Sequence, residues 1–214
     1  MNENYQKVLE NIIKENNQKG IIPKLLLHSC CAPCSSYCIE YLSKYFDITL
    51  YFYNPNISKE EEFDKRANEL TRLVDSMSLA RSINVIIEHY EPNEFYTIAK
   101  GLENEPERGK RCEECFKLRL EHSAQYAKKN NFDYFTTTLS ISPHKDAQLL
   151  NGIGRDFSRK YNIPYLFSDF KKKNGYKRSI ELSTEYNLYR QNYCGCIYSY
   201  KESLMTNRNI CNKQ

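Results

Sequence analysis

An α/β domain with a mostly parallel sheet and helices on both faces is the fold class this sequence predicts. Two observations lead there. Short aliphatic or aromatic runs bounded by polar turns alternate with longer segments of helical periodicity. The 214-residue chain, 40% hydrophobic and 27% charged, is long enough for one well-covered core and short for two. A single domain over residues 1–214 is therefore expected.

The opening MNENYQKVLENIIKENNQKG is amphipathic and polar, a helix in pattern and not a secretory leader. The longest apolar runs, LLL and VII, are too short to span a bilayer, so a cytoplasmic protein that makes no use of a membrane is expected. KLLLHS (24–29) reads as a buried strand, and APCSSYCIEYLSKYF as the helix after it, with a corner at Cys30 and Cys31. DITLYFYNP is a second strand. SKEEEFDKRANELTRLVDSMSLA is a long helix capped by Ser58 or a neighbour, and INVIIEHY a third strand. A helix containing FYTIAKGL leads into the charged turn ENEPERGKR. CEECFKLRLEHSAQYAKKN then spaces Phe116, Leu120, Ala124 and Ala127 along one helical face, so the Cys112-x-x-Cys115 pair sits at a helix start. FDYFTTTLS is a β-branched and aromatic strand, SPHKDAQLLNGIGRDFSRKY a proline turn entering a helix, and IPYLFSDF a short last strand. KKKNGYKRSIELSTEYNLYR is a basic loop entering a helix. In open parallel sheets ligands lie beyond the carboxyl ends of the strands, where Cys30, Cys31, Asn54, Ser140 and Asp169 should converge.

Nine cysteines in a chain expected in a reducing compartment point to metal binding or redox chemistry and away from a disulfide framework. Cys30, Cys31, Cys112 and Cys115 supply the four soft thiolates that zinc or an iron–sulfur cluster requires. Adjacent residues in extended chain point to opposite sides, so Cys30 and Cys31 share one centre only if the chain turns between them; otherwise they serve two neighbouring sites. Cys34 and Cys38, four apart on one helix face, read as small core residues. Cys194-Gly195-Cys196 fits a strained, reducible disulfide suited to electron relay, with extra metal ligation as the competing use. His28, His89, His122 and His144 show no metal-binding spacing, although His28 lies just before the cysteine pair. No glycine-rich phosphate loop follows any strand, which argues against a nucleotide cofactor. The net charge of +4 permits polyanion binding. The run at 171–178, with Lys171, Lys172, Lys173, Lys177 and Arg178, and also Arg66, Arg108, Lys110 and Arg111, offers phosphate contacts, and 18 Tyr offer stacking surfaces for unpaired bases.

LHSCCAPCSS, YNPNI, EPERGKRCEECFKLRLEHSA, FTTTLSISPHKD, the helix with NGIG, and SDFKKKNGYKRSIELSTEYNLYRQNYCGCIYS together closely resemble the QueH family of epoxyqueuosine reductases, over about residues 22–200, with 201–214 as a tail. The resemblance implies two-electron removal of the epoxide oxygen of epoxyqueuosine at the wobble position of tRNA. It implies a [4Fe-4S] cluster on Cys30, Cys31, Cys112 and Cys115, and an additional iron close by. Asp146 and Asp169 are the rim candidates for a carboxylate ligand to that iron. The pair Cys194 and Cys196 matches a redox-active disulfide. No cobalamin is implied, and the electron donor is unidentified. The fold implied is a Rossmann-like (HUP-type) three-layer sandwich akin to the nucleotide-hydrolase superfamily. Three rivals use the same residues differently: a zinc-bound tRNA-binding module on the four cysteines, a thiol-disulfide oxidoreductase on Cys194 and Cys196 alone, and a sulfur-transfer or nucleotide-activating tRNA enzyme, which the missing phosphate loop disfavours.

Overall fold

The structure, a computed structural model, describes residues 3–211, with side chains described over 3–205. Strands β1 (Lys24–His28), β2 (Asp47–Phe52), β3 (Asn84–Ile87) and β4 (Tyr134–Thr137) form one sheet in the order β3-β2-β1-β4. Every pairing is parallel, with Leu26 opposite Thr49 on one side and Phe135 on the other. The fold is the expected α/β three-layer sandwich. Side chains alternate across a strand, so Leu25 and Leu27 join Ile48, Leu50 and Phe52 on one face. There they meet Leu9 and Ile13 of α1 (Tyr5–Gln18), Ile39 and Leu42 of α2 (Ala32–Leu42), and Phe63 and Leu70 of α3 (Glu60–Ser76). Leu26 and Tyr51 face the other way, onto Phe116 and Leu120 of α5 (Lys110–Lys129) and Leu150 and Ile153 of α6 (Ala147–Tyr161). A strand buried on both faces reads as an unbroken apolar run, which is why KLLLH was legible.

Three further helices complete the frame. α4 (Pro92–Ala99) packs its Phe95 and Ala99 against Cys115 and Cys196, and α7 (Gly175–Glu185) lies along α2. α8 (Ile197–Cys211) begins where the family-like region was expected to end and continues through most of the expected tail, whose residues 212–214 lie outside the described residues. No helix among the described residues is long and apolar enough to cross a membrane.

One expectation is corrected. IPYLFSDF is not a strand but a single bridge between Phe135 and Tyr165, with Leu166 N donating to Phe135 O at 2.9 Å. Side chains intercept the backbone beyond it. Thr136 Oγ1 donates to Leu166 O at 2.8 Å, Asn151 Nδ2 donates to Ser168 O at 2.8 Å, and Ser168 N donates back to Asn151 Oδ1 at 3.0 Å. These polar groups satisfy the chain locally and the ladder stops. The cap of α3, expected at Ser58 or a neighbour, is the neighbouring Lys59, without a side-chain bond, and Glu60, Glu61 and Glu62 complement the helix dipole in its first turn. The Ser58 hydroxyl donates instead to Gly195 O at 3.3 Å.

From β1 the chain winds outward through β2 to β3, then returns to the opposite side of β1 as β4. That reversal opens a crevice at the carboxyl ends of β1 and β4, the position at which such sheets bind ligands.

Candidate metal centre

β1 ends at His28, and the chain turns at once into α2. Ser29 N donates to Tyr51 O at 2.9 Å, Asn54 Nδ2 donates to Ser29 O at 2.9 Å, and Ser35 Oγ donates to Cys31 O at 2.8 Å. This bracing brings the Cys30 and Cys31 sulfurs to 3.8 Å, so the chain does turn between them. A third sulfur completes the group: Cys30, Cys31 and Cys34 have Sγ atoms all within 4.8 Å of one another. Cys31 is the N-cap of α2 and Cys34 stands three residues on, the position whose side chain turns back over the cap. Cys34, expected as a core residue, is half-buried: it packs against the core and also joins the sulfur group, while Cys38 is fully buried. The missed signal was Cys31-Ala-Pro-Cys34, itself a Cys-x-x-Cys. Hydrogen bonds from Cys31 and Cys34 hold the Cys30 thiol well below its ordinary value. The same sharing with Cys30 pushes Cys31 up to about 12 and raises Cys34. The corner behaves as one thiolate solvated by two thiols.

Cys112 and Cys115 occupy the first turns of α5, as expected. Arg108, in the left-handed region at φ 73°, directs its backbone N–H to Cys112 Sγ at 3.3 Å. Burial raises the Cys112 thiol and pushes Cys115 up to about 12. Cys196 packs with Cys115 in a small apolar cluster with Phe95 and Ala99. The loop carrying the Cys-Gly-Cys is pinned from α3: Arg66 Nη1 donates to Cys194 O at 3.0 Å, and Ser58 N donates to Gly195 O at 3.1 Å. Gly195 adopts φ +124°, and a Cβ there would stand 3.0 Å from Ile57 Cγ1 and 3.2 Å from Arg66 Nη1. Cys194 and Cys196 are both free thiols.

Two cavities share a wall here. The smaller, about 100 Å³, is lined by Cys112, Cys115, Cys194 and Cys196. The larger, about 510 Å³, is lined by Cys30, Cys31, Cys34 and again Cys194. Seven cysteines from three distant stretches of chain thus reach one region. Among them lies Arg119, 1% exposed, on the same α5 face as Cys112 and Cys115 at helical spacing. It donates to Cys115 O at 3.3 Å and to Asn54 Oδ1 at 3.4 Å, has no carboxylate partner among the described residues, and leaves Nη2 without a hydrogen bond. Burial works against its charge, but the sulfurs of Cys115, Cys194, Cys30 and Cys112 together hold it protonated. Lys145, half-buried on the wall common to both cavities, is likewise held protonated, against burial, by Cys194, Cys30 and Cys34.

The other candidates divide. His28 is fully buried with both ring nitrogens engaged, at 2.9 Å from Thr137 Oγ1 and 3.0 Å from Tyr53 O, and burial with Arg119 nearby lowers its pKa to about 4. It lines neither cavity. Asp169 lines neither and is bound to Lys171 Nζ at 2.7 Å. Asp146 lines the smaller cavity while capping α6, accepting from Gln148 N at 2.7 Å. In the basic run, Lys171 pairs with Asp169, Lys173 with Glu10, and Arg178 with Glu40 at 2.6 Å, whereas Lys172 and Lys177 are exposed.

A protein-family model described as epoxyqueuosine reductase QueH matches residues 25–202, which contain all seven of these cysteines. The chain belongs to the QueH family. Similar proteins carrying the name epoxyqueuosine reductase QueH include one from Staphylococcus epidermidis, 47% identical over 92% of this chain and 84% of its own length. One from Streptococcus pyogenes is 44% identical over 92% of this chain and 78% of its own. One from Thermotoga maritima is 35% identical over 89% of this chain and 97% of its own. In this QueH member the cysteine cluster is able to hold a metal, and the donor chemistry suits an anionic one. Thiolates are soft ligands favouring iron–sulfur clusters and zinc, and a buried guanidinium with an unpartnered N–H and no carboxylate calls for negative charge in the space it faces.

Proposed function

We propose that this chain reduces epoxyqueuosine to queuosine in tRNA, on an iron–sulfur cluster with an adjacent iron. The observation that carries the reading is the convergence of seven cysteines and an uncompensated buried arginine beside a cavity of about 510 Å³, in a chain whose relatives bear the name epoxyqueuosine reductase. Cys30, Cys31, Cys112 and Cys115 are the proposed cluster ligands, Cys34 is a fifth thiol within reach, and Asp146 is the cavity carboxylate for the second iron. Bound there, these groups supply single electrons and Lewis acidity toward the epoxide oxygen.

Removing that oxygen breaks two C–O bonds, forms a C=C bond and releases water, consuming two electrons and two protons. The thiol pair Cys194 and Cys196 holds both in balance: its oxidation to a disulfide yields two electrons and two protons, and an external donor reduces it again. Lys145, on the wall common to both cavities, is the proposed acid for the departing oxygen. Arg119, bonded to Cys115 O and Asn54 Oδ1, would position that cysteine.

Anaerobic reconstitution with iron and sulfide, followed by mass analysis of epoxyqueuosine-containing tRNA, tests the reading; loss of one oxygen mass is expected. A colourless sample with one zinc per chain and no turnover would favour the tRNA-binding rival instead. Cys194→Ser is expected to keep the iron and lose multiple turnover. Loss of iron in that variant would make Cys194 a ligand and not a relay.

A further inference from the structure

We propose that the larger cavity is the subsite for the extruded wobble nucleotide, with Arg108 and Arg190 holding its flanking phosphates and Tyr176 stacking on its base. The inference rests on the function proposed above and locates its RNA contact. Most cations of this chain's basic 171–178 run are consumed by carboxylates: Lys171 by Asp169, Lys173 by Glu10, and Arg178 by Glu40. Arg108 and Arg190 differ. Both are exposed, both line the cavity of about 510 Å³, and neither has a carboxylate partner among the described residues. Each is nonetheless oriented by a neighbour other than a carboxylate, Arg108 Nη2 at 2.7 Å from His144 Nδ1 and Arg190 Nη1 donating to Ser183 Oγ at 2.9 Å. A guanidinium so held keeps its remaining N–H groups for a bidentate anion.

Cys30 and Cys194 line the same cavity, so a nucleotide filling it brings its modified base to the sulfur corner. Its volume falls within the range of small-ligand pockets. Enzymes that act on a base extrude it and read it by stacking, and Tyr176, lining this cavity, stacks on no other ring among the described residues.

The test measures binding of the reconstituted protein to an epoxyqueuosine anticodon stem-loop across a salt series. It uses stem-loops with normal linkages and with methylphosphonate at the two linkages flanking the wobble nucleotide. Arg108→Gln with Arg190→Gln should raise Kd at least tenfold and reduce the magnitude of the log–log salt slope by about 1.4, at about 0.7 per single-strand phosphate contact. Arg108→Lys with Arg190→Lys should recover the slope and part of the affinity, which separates charge from misfolding. The methylphosphonate stem-loop should bind wild type as weakly as the Gln variant binds normal RNA, and combining the two changes should cost no more than either. Additive losses, or an unchanged Kd in the Gln variant while wild type still reduces the substrate, would overturn the subsite and leave the function standing. Wild type that neither binds nor reduces the stem-loop would overturn both.

Discussion

At the scale of single residues, chemistry here follows from which groups are denied an ordinary partner. Arg119 has no carboxylate partner among the described residues and lines a cavity with cysteines, whereas His28, no less buried, has both nitrogens bonded. Cys30→Ala and Cys112→Ala are each expected to lose both the brown chromophore and turnover, read by absorbance and by tRNA mass. Full reduction by either variant would remove that residue from the ligand set. His28 contributes to stability with a defined sign. Its folded pKa of about 4 lies below the ordinary histidine value, so the native state binds fewer protons than the unfolded chain in that window. Its contribution is complete above about pH 6.5 and is lost as pH falls toward 4, by at most about 3 kcal/mol. The metal-free His28→Asn chain should therefore show a flatter stability curve between pH 6.5 and 4 in urea titrations, and an unchanged slope would assign the acid sensitivity elsewhere.

At the scale of elements, the site is set by what terminates each one. β1 stops because Ser29 and Asn54 take over its hydrogen bonding, and α2 starts at once with a cysteine as its cap. The Cys194–Cys196 loop depends on a glycine between β2, α3 and α8. Gly195→Ala would put a methyl group into a backbone at φ +124° and against Ile57 and Arg66. We expect about 1–3 kcal/mol of destabilisation from the backbone strain alone, and a Cys194–Cys196 midpoint potential displaced from wild type in thiol-disulfide titration; an unchanged melting temperature and potential would show that the loop relaxes freely. The elements also show where the sequence was readable. Long periodic helices and the apolar β1 and β2 were, because burial on known faces imposes their pattern. The bridge at Tyr165 was not, because Thr136 and Asn151 stop the strand from elsewhere in the chain. Nor was α8, whose first residues follow a Cys-Gly-Cys that reads as loop.

At the scale of the molecule, the sulfur region borders a sheet core that is closed by apolar side chains of its own. Leu25, Leu26, Leu27, Leu50 and Phe135 are fully buried, and the half-buried Cys30, Cys34 and Cys112 pack against that core from its rim. Removing bound metal with a chelator should thus leave the far-ultraviolet circular dichroism intact and lower Tm, because a ligand bound only by the native state stabilises it by mass action. Complete unfolding on chelation would mean that the cluster, and not the sheet, holds the domain together. That core explains how one rim can carry seven reactive groups: β1 and α5 fix Cys30 and Cys112, while Arg119 keeps an unpartnered N–H toward the space they share.

By itself the sequence determined the α/β class, both cysteine pairs with the Cys-Gly-Cys, and the family, because these depend on local periodicity and on motifs a few residues long. Only the tertiary structure decided that Cys34 joins Cys30 and Cys31, that His28 and Asp169 stand aside, and that Arg119 and Lys145 face the sulfurs. Those outcomes depend on which strand ends meet at a reversal of sheet order and on which charges find partners far along the chain. Neither is a local property of sequence.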